Sequence, residues 1–286
     1  MLSPAEIEEC VLWACQQEVS APKPGNVNCF SGNHEMEITD FIKSAQAIAP
    51  VMAQPNNTVG ELILQSICAT RAVVDCNTNL GIVLLFAPLC VAMHQCQSVT
   101  QYQSSIKLIL DTLTIDDATK CYQAIRLAQA GGMGKVTQHD IQSPPRITLK
   151  QAMNIAKNRD IIARQYCHNY DAIWRIGLPS LTNEINCGET VEWAAAFAYL
   201  ILLSKIPDTL ICRKKGQTVS KEVSTDAHSL LKKIKENKKL SDSKNEIIKW
   251  DNYLKKEGLN PGTTADLTAA TLLVYAFLEK LSQKEF

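Results

Sequence analysis

Residues 193–203 read WAAAFAYLILL, a helix-length run that is apolar on nearly every face. A helix of this kind has no polar side to present to water, so other elements must wrap around it. A second run of the same character, LTAATLLVYAF, occupies residues 267–277. The two runs predict one or two central helices buried in the core.

Helix-start signals and apolar periodicity continue on either side of these runs. SPAE (3–6) and TVGE (58–61) match the capping box, in which Ser or Thr and a Glu three residues later satisfy the first backbone N–H groups. Alternation with period two, which is typical of strands, is scarce. Further helices are expected near 39–53, 80–95, 99–113, 116–130, 148–165, 190–205, 218–236, 243–257 and 264–283. The sequence predicts an all-α fold, a single multi-helix globular domain over residues 1–286.

Composition excludes several classes of protein. Hydrophobic residues make up 46% of the 286 residues, which argues against wholesale disorder. Lys+Arg and Asp+Glu both number 29, so no net charge points to a nucleic-acid or membrane-surface protein. Charged residues concentrate at 214–257, which we expect to be a peripheral, solvated segment. Its Lys-rich part at 232–239 has an alternative interpretation as an electrostatic arm for a partner.

Targeting and redox signals favour a cytoplasmic protein. The N-terminus has no basic region followed by an apolar run, and we expect no signal peptide. The uncharged stretch 80–93 is short for a membrane span and contains Pro88, so a buried helix is the expected structure. The eleven cysteines show neither C-x-x-C nor zinc-ligand spacing, and we expect them to be reduced and mostly buried.

The segment APKPGNVN (21–28) places a cation in a stiff, non-helical loop. Each proline fixes φ and lacks an N–H, so the segment cannot be the interior of a helix or strand. Lys23 lies between the two prolines, and Gly25 allows a close backbone approach. We expect the loop to present Lys23 to an anion, so that Lys23→Ala keeps the fold but loses that binding.

Two later segments add charge at predicted turns. In the predicted loop 207–216, Asp208 precedes three consecutive cations and a glycine, a pattern that suits polyphosphate, with a solvated loop as the alternative. NPGTTADL (260–267) is a tight turn followed by a helix that Thr263 or Thr264 would cap. Asp266 falls in the first turn of that helix, where it is a partner of the helix dipole, a Mg²⁺ ligand or a hydroxyl acceptor.

Three further motifs are less specific. DCNTNLG (75–81) is a polar helix cap with more asparagine than capping requires. His34 and Glu35 form a polar pair that is either a surface loop or part of a site. GGMGKV (131–136) lacks both the spacing of a phosphate-binding loop and a preceding strand, so we interpret it as a flexible turn.

Five of these motifs occur in an order that resembles the triphosphoribosyl-dephospho-CoA synthase family. They are KPGNV (23–27), NHEM (33–36), NTNLG (77–81), DTLICRK (208–214) and NPGTTADL (260–267). The resemblance covers about residues 5–280. It implies an all-helical, Mg²⁺-dependent transferase that converts ATP and dephospho-CoA to 2′-(5-triphosphoribosyl)-3′-dephospho-CoA and adenine.

The resemblance and the residue types together name candidates for each step. The triphosphate needs cations with Mg²⁺, the acceptor hydroxyl needs a base, and the departing adenine needs hydrogen bonds. The nucleotide-binding candidates are Lys23, Gly25, Asn26, Asn77, Asn79, Arg213, Lys214 and Gly262. The metal candidates are Asp208 and Asp266, and the acid–base candidates are Glu35, His34 and Asp208. Which acid is the base and which binds metal stays open.

Two motifs depart from the citrate-lyase branch of the family. That branch has Asn-Thr-His-Lys-Gly where this chain has NTNLG (77–81), and Asn-Pro-Gly-Gly-Ser-Ala-Asp where this chain has NPGTTAD (260–266). The chain therefore resembles a divergent branch. Its alternatives are a related Mg²⁺-dependent transferase or N-glycosidase with another acceptor, and a nucleotide-binding helical module without catalysis. The expected partners are ATP and dephospho-CoA, with a carrier protein or downstream transferase also compatible.

Overall fold

The structure is a computed structural model that describes residues 1–30, 37–129, 141–234 and 240–285. Within these ranges it contains α-helices, a π-helical turn at Ile173–Gly177, a 3-10 helix at Leu240–Ser243 and no β-strand. The α-helices are α1 (Pro4–Ser20), α2 (Ile38–Met52), α3 (Val59–Arg71), α4 (Leu80–His94), α5 (Val99–Asp111), α6 (Ile115–Ala128), α7 (Leu149–Ala156), α8 (Ile161–Cys167), α9 (Leu178–Asn186), α10 (Val191–Lys205), α11 (Thr209–Lys215), α12 (Gln217–Ile234), α13 (Lys244–Lys256) and α14 (Gly262–Ser282). The predicted all-α class is confirmed.

Both predicted capping boxes are present. The Thr58 N–H donates to the Glu61 carboxylate at 2.8 Å, and the Glu61 N–H donates to Thr58 Oγ1 at 3.2 Å. Ser3 and Glu6 make the same reciprocal pair of contacts ahead of α1. Because the first N–H groups of a helix have no partner within it, these contacts fix where α1 and α3 begin.

Two predicted elements were wrong. The expected helix at 148–165 is two helices, because Asp160 accepts hydrogen bonds from the N–H groups of Ile162 and Ala163 and so starts α8. The expected loop at 207–216 contains α11, whose N-cap is Asp208. In both places an aspartate with a strong capping preference starts a short helix that the apolar pattern does not show.

The contacts between Cα atoms divide the chain into two compact units. The first comprises Met1–Ala14, Asp40–Tyr170 and Leu273–Phe286, and the second comprises Cys15–Thr39 and Asp171–Leu272. A single domain over residues 1–286 stays a prediction.

The first unit is built around α4, whose side chains are almost all buried. Pro88 has no N–H, so the helix cannot make the usual hydrogen bond to the carbonyl of Leu84. The Tyr166 hydroxyl donates to that carbonyl at 2.5 Å, and the Tyr170 hydroxyl donates to the Leu85 carbonyl at 2.7 Å. The two tyrosine hydroxyls thus supply hydrogen bonds to α4 carbonyl groups next to the point where proline interrupts the helix.

The second unit is built around α10, which packs against α9 and α12. Side chains of α10 such as Tyr199 and Leu203 are fully buried in one apolar cluster, which also includes Ile247 and Leu254 of α13. The run at 267–277, whose residues from Leu273 onward belong to the first unit, is buried apart from the half-buried Tyr275. The predicted central helices are confirmed.

The charged segment at 214–257 forms α12, the 3-10 helix and α13 in its described part. Each α-helix keeps a charged outer face and buries an apolar stripe that includes Val223 and Leu231 in α12. Residues 235–239, which include much of the Lys-rich cluster, lie outside the described residues. The segment is therefore part of the second unit's core as well as of its surface.

The eleven cysteines are all free thiols. Five of them are buried: Cys10, Cys15, Cys90, Cys96 and Cys121. The other six are half-buried or exposed, so the expectation that most cysteines are buried was wrong. In the described part of the chain, no helix by itself has the length and apolar character needed to cross a membrane. The bent pair of α10 and α11 meets that test only when the two helices are taken together.

Candidate functional site

The Lys23 ammonium group is fully buried and has three acceptors inside the second unit. It donates to Glu18 Oε1 at 2.5 Å, to the Glu18 carbonyl at 2.7 Å and to the Val27 carbonyl at 2.9 Å. An ammonium group has three hydrogens to donate, so these contacts use all of them. The loop does not expose Lys23, whose side chain is 0% exposed, and its contact with phosphate oxygens stays a prediction. To reach a phosphate, Lys23 would have to exchange these contacts.

Burial acts on both members of this ion pair. Loss of water raises the pKa of Glu18 and lowers the pKa of Lys23, and the contact between the two groups opposes each shift. Glu18 belongs to the last turn of α1, so the pair ties the loop to the helix that precedes it. In this structure, the Glu18–Lys23 ion pair closes the turn at 21–28.

Gly25 is constrained by both conformation and space. Its φ is +81°, and a Cβ placed there would lie 2.6 Å from the Leu259 carbonyl oxygen. Its N–H donates to Asp251 Oδ1 at 2.8 Å. The close approach predicted for this glycine therefore occurs toward the protein's own chain, at the turn that precedes α14.

Asn26 joins the first family motif to the last one. Its side-chain amide donates to Asn260 Oδ1 at 2.8 Å, and Asn260 opens the NPGTTADL segment. Two buried side chains support the same loop: the Tyr199 hydroxyl donates to the Pro24 carbonyl at 2.7 Å, and Asn28 donates to Asp251 Oδ1 at 3.0 Å. The fold thus brings segments 23–28 and 260–267 into direct contact.

Asp208 accepts five hydrogen bonds. Oδ1 accepts from the N–H groups of Leu210 and Ile211, which caps α11. Oδ2 accepts from the Thr263 hydroxyl and from both the N–H and the hydroxyl of Thr264, each at 2.8 Å, which caps α14. Burial raises the pKa of Asp208, and these hydrogen bonds act in the opposite direction.

This geometry argues against the two chemical roles suggested for Asp208, which stay predictions. A carboxylate offers about four lone-pair positions, and five donors already surround this one. The side chain is 1% exposed, so neither a metal ion nor a substrate hydroxyl has an oxygen to approach. Asp208 instead joins the DTLICRK motif (208–214) to the NPGTTADL motif (260–267), at the starts of α11 and α14.

The remaining candidates of the second unit lie next to this junction. Arg213 and Lys214 are in the last turn of α11, where they are half-buried and exposed, respectively. Asp266 is half-buried in the first turn of α14. Gly262 begins α14, and a Cβ there would lie 2.7 Å from Leu210 Cδ2, so this glycine allows α14 to start close to α11. Their contacts with nucleotide stay a prediction.

The asparagines of the NTNLG motif belong to the first unit. Asn77 Oδ1 accepts the Leu80 N–H at 3.1 Å and so satisfies the first N–H of α4, whose N-cap residue is Asn79. Asn79 is buried, and its side-chain amide donates to the Thr70 hydroxyl at 2.9 Å. Thr78 lies 2.6 Å from the Ser44 hydroxyl. These contacts stabilise the start of α4, and a hydrogen bond to adenine stays a prediction for both asparagines.

His34 and Glu35 lie outside the described residues. Within the part of the chain that the structure describes, no group of three His, Cys, Asp or Glu side chains could together hold a metal ion.

Sequence reasoning missed three residues that hold the loop at 23–28: Glu18, Tyr199 and Asp251. Tyr199 reads as one more apolar residue of α10, and Asp251 as one charge in a Lys-rich segment. Glu18 is five residues before Lys23. This short separation between a carboxylate and a cation was the one local signal in the sequence that could have indicated the ion pair. The others act across more than 170 residues of chain.

Comparison with known proteins gives a consistent result over nearly the whole chain. The CitG family model, described as ATP:dephospho-CoA triphosphoribosyl transferase, matches residues 4–285. A relative in Pectobacterium carotovorum, named probable 2-(5″-triphosphoribosyl)-3′-dephosphocoenzyme-A synthase, is 26% identical over 95% of this chain and 89% of its own. A Pectobacterium atrosepticum protein named as the same synthase is 25% identical over the same shares.

A solved structure shares the fold. It comes from Archaeoglobus fulgidus and carries a provisional assignment as triphosphoribosyl-dephospho-CoA synthase. The two chains superpose with a TM-score of 0.63 at 23% identity, over 83% of this chain and 98% of the other. The order of the motifs, the fold and the family match over residues 4–285 agree, and this chain belongs to the ATP:dephospho-CoA triphosphoribosyl transferase family.

Proposed function

We propose that this protein transfers the triphosphoribosyl group of ATP to dephospho-CoA, which releases adenine and gives 2′-(5-triphosphoribosyl)-3′-dephospho-CoA. The observation that carries the proposal is the family match, which runs from residue 4 to residue 285. The curated relatives match 95% of this chain, so the similarity is not confined to one nucleotide-binding segment.

The reaction breaks the N-glycosidic bond of ATP and forms an O-glycosidic bond at the same ribose carbon. By analogy with glycoside hydrolysis, positive charge develops on the sugar in the transition state. The protein then has three tasks: to hold the triphosphate, to accept the proton of the attacking hydroxyl, and to stabilise adenine as it leaves.

Arg213 and Lys214 are the side chains best placed to hold the triphosphate. Both lie in the last turn of α11, and together with Lys215 they put three cations in one turn of helix. Guanidinium and ammonium groups bind phosphate oxygens through charge-assisted hydrogen bonds. Because Asp208 fixes the other end of α11 against α14, the position of these cations is set by a buried contact.

Magnesium fits this arrangement as an ion held mainly by the substrate. Asp266 is the carboxylate that would contact it, since Asp208 is enclosed by five donors. One carboxylate with phosphate oxygens and water is a common set of ligands for Mg²⁺ at a nucleotide. When bound, the ion would neutralise charge on the triphosphate and favour one orientation of the ribose.

The proton acceptor is assigned to the NHEM motif. Of the three acid–base candidates, Asp208 has no oxygen open to a substrate, which leaves His34 and Glu35. Asn77, which is half-buried at the start of α4, is the candidate to donate a hydrogen bond to adenine, because Asn79 is buried against Thr70. A carrier protein or downstream transferase would take up the product.

The test is to incubate the purified chain with ATP, Mg²⁺ and dephospho-CoA and to measure adenine and the mass of the product. Adenine together with a triphosphoribosyl adduct of dephospho-CoA is the expected result. The matched control is an Arg213→Ala preparation made in the same way, which detects adenine released by contaminating enzymes. Absence of adenine from a folded, ATP-binding preparation would refute transfer to dephospho-CoA.

A second candidate is the same donor chemistry with a different acceptor. The observation that favours it is the NTNLG motif, which lacks the histidine and lysine of the citrate-lyase branch. Leu80 of that motif is buried in α4, so no side chain there replaces the missing cation. Adenine release without an adduct of dephospho-CoA would support this candidate over the first.

A further inference from the structure

Asp251 is a buried carboxylate in the middle of a segment that the sequence presents as solvated. It lies in α13 between Lys249 and Lys255, yet its exposure is 1%. A buried carboxylate is costly unless it is hydrogen-bonded and paired with a cation. Its contacts therefore indicate what it does in the fold.

One oxygen of Asp251 faces the loop at 23–28. Oδ1 accepts the Gly25 N–H at 2.8 Å and the Asn28 side-chain amide at 3.0 Å. The other oxygen accepts from Lys255, one turn further along α13, at 2.9 Å. The carboxylate is thus satisfied on both sides, with the loop on one and a cation on the other.

Asn28 extends this contact to the rest of the loop. The same amide group donates to the carbonyls of Lys23 and Asn26, each at 3.0 Å. Asp251 and Asn28 together therefore contact the backbone on both sides of Gly25. Without the carboxylate, the buried Gly25 N–H would lose its partner, and a buried donor without a partner is unfavourable.

The loop held in this way carries several predicted nucleotide contacts. Lys23 and Asn26 belong to it, and Asn26 contacts Asn260 at the start of the last family motif. Lys255, the cation paired with Asp251, is also close enough to Lys23 to act on it electrostatically. A movement of Asp251 would therefore change the position of the KPGNV motif (23–27) and its contact with the NPGTTADL motif (260–267).

We infer that Asp251 is a positioning residue for the transfer reaction: it holds the loop at 23–28 in the conformation in which that loop and the Asn260 turn meet. The inference rests on the proposed function, since it assigns the loop a task in that reaction. Asp251 itself does not contact the reacting atoms. It acts through Gly25 and Asn28.

The test compares Asp251→Ala with Asp251→Asn in the full chain. Asp251→Ala removes the acceptor of both loop contacts, whereas Asp251→Asn keeps one oxygen that can accept them. The matched control is Glu246→Ala, which removes an exposed carboxylate from the first turn of the same helix. Adenine release is measured well below the unfolding transition of every variant, together with hydrogen exchange at the Gly25 amide.

We expect Asp251→Ala to lower kcat/KM by roughly tenfold or more, because hydrogen bonds to a charged group are each worth more than one such factor. Exchange at Gly25 should accelerate while the amides of α10 stay protected. Asp251→Asn should recover much of kcat/KM even where its Tm stays low, and Glu246→Ala should match the wild type. Recovery of rate without recovery of Tm separates positioning from stability.

Two results would overturn the inference while the proposed function stands. One is wild-type kcat/KM in a folded Asp251→Ala variant. The other is an equal loss of kcat/KM in both Asp251 variants that follows their Tm. A wild-type protein that releases no adenine would remove the proposed function, and the inference with it, so the two failures are distinguished by the wild-type assay.

Discussion

Two polar loops, each with a family motif, are held by contacts of very different range. The loop at 77–79 has partners at most 34 residues away: Leu80 and Thr70 lie within nine residues, and Ser44 lies 34 residues before Thr78. The loop at 23–28 is held by Tyr199, Asp251 and Asn260, which follow it by 175 residues or more. Both loops bury asparagines, so the type of residue does not distinguish them. The range of the contacts does.

The difference teaches where a site depends on the whole fold. A contact such as that of Asn77 forms whenever its own helix forms, because donor and acceptor are three residues apart. The contacts of Pro24 and Gly25 exist only after α10, α13 and the turn before α14 have all packed. We therefore expect changes in the loop at 23–28 to have larger effects than changes in the loop at 77–79.

Lys23→Met should have the largest effect, and its cause is buried charge rather than range, because the partner Glu18 is only five residues away. It leaves the Glu18 carboxylate buried without its cation, and breaking a buried ion pair from one side costs about 3–5 kcal/mol of unfolding free energy. Urea unfolding monitored by circular dichroism measures the loss. This result would replace the sequence-based expectation that removal of Lys23 leaves the fold unchanged.

The control for Lys23→Met is the double variant Glu18→Gln/Lys23→Met, which removes both charges. Much of the lost stability should return, because the unpaired charge rather than the missing contact causes the larger part of the loss. A loss below about 1 kcal/mol in Lys23→Met, the range of an exposed ion pair, would show that the pair is not the buried contact described here.

Gly25→Ala should have the next largest effect. The residue combines a φ of +81° with a Cβ position 2.6 Å from the Leu259 carbonyl oxygen. Backbone strain and overpacking together should cost about 2–3 kcal/mol. The matched control is Gly258→Ala, which has a φ of +65° but meets only the flexible end of Lys215 at 3.4 Å.

Gly258→Ala isolates the conformational part of that cost, which we expect to be about 1 kcal/mol. Chemical denaturation of the two variants side by side gives the difference, which measures the close approach alone. Equal losses in the two variants would mean that the turn before α14 can move away from the loop, and the long-range contact would then be weaker than proposed.

Asn79→Ala should have a smaller effect. The variant leaves the Thr70 hydroxyl, which is buried, without its partner, and such a loss costs about 1–2 kcal/mol. Asn77→Ala, which removes only the acceptor of the first N–H of α4, should cost about 1 kcal/mol or less. Thermal unfolding of both variants measures these losses. If either variant lost as much stability as Lys23→Met, the comparison between the two loops would be contradicted.

Glu6→Gln should have the smallest effect, and one that depends on pH. Hydrogen bonds from the Lys284 side chain and from Ser3 lower the pKa of Glu6 from 4.5 to about 2. Because the folded pKa is the lower one, the folded state binds fewer protons, and the stability from this group is present above about pH 4.5. It is lost as the pH falls toward 2.

The measurement is the difference in Tm between the wild type and Glu6→Gln from pH 6 down to pH 2, a range chosen to span both pKa values of Glu6. The difference should shrink as the pH falls, because the wild type then loses the charge that Glu6→Gln lacks at every pH. A difference that is constant with pH would mean that the Glu6 carboxylate is not held by Lys284 and Ser3.

Much of the fold followed from local patterns. The capping boxes at Ser3 and Thr58 and the apolar runs at 193–203 and 267–277 gave the helix starts and the buried helices, because caps and helical periodicity act within a few residues. The patterns failed at Asp160 and Asp208, where a single capping aspartate starts a short helix. At Asp160 the patterns predicted one continuous helix, and at Asp208 they predicted a loop.

By itself, then, the sequence determined the helical class, the central helices and the family, through motifs whose order can be read directly. Only the tertiary structure decided that Lys23 is buried on Glu18, that Asp208 joins two helix starts, and that Asp251 reaches the loop at 23–28 from a Lys-rich helix. The physical reason is that burial and hydrogen-bond partners depend on residues brought together from distant parts of the chain. A cation beside a glycine looks the same in the sequence whether its partner is a phosphate or a carboxylate five residues away.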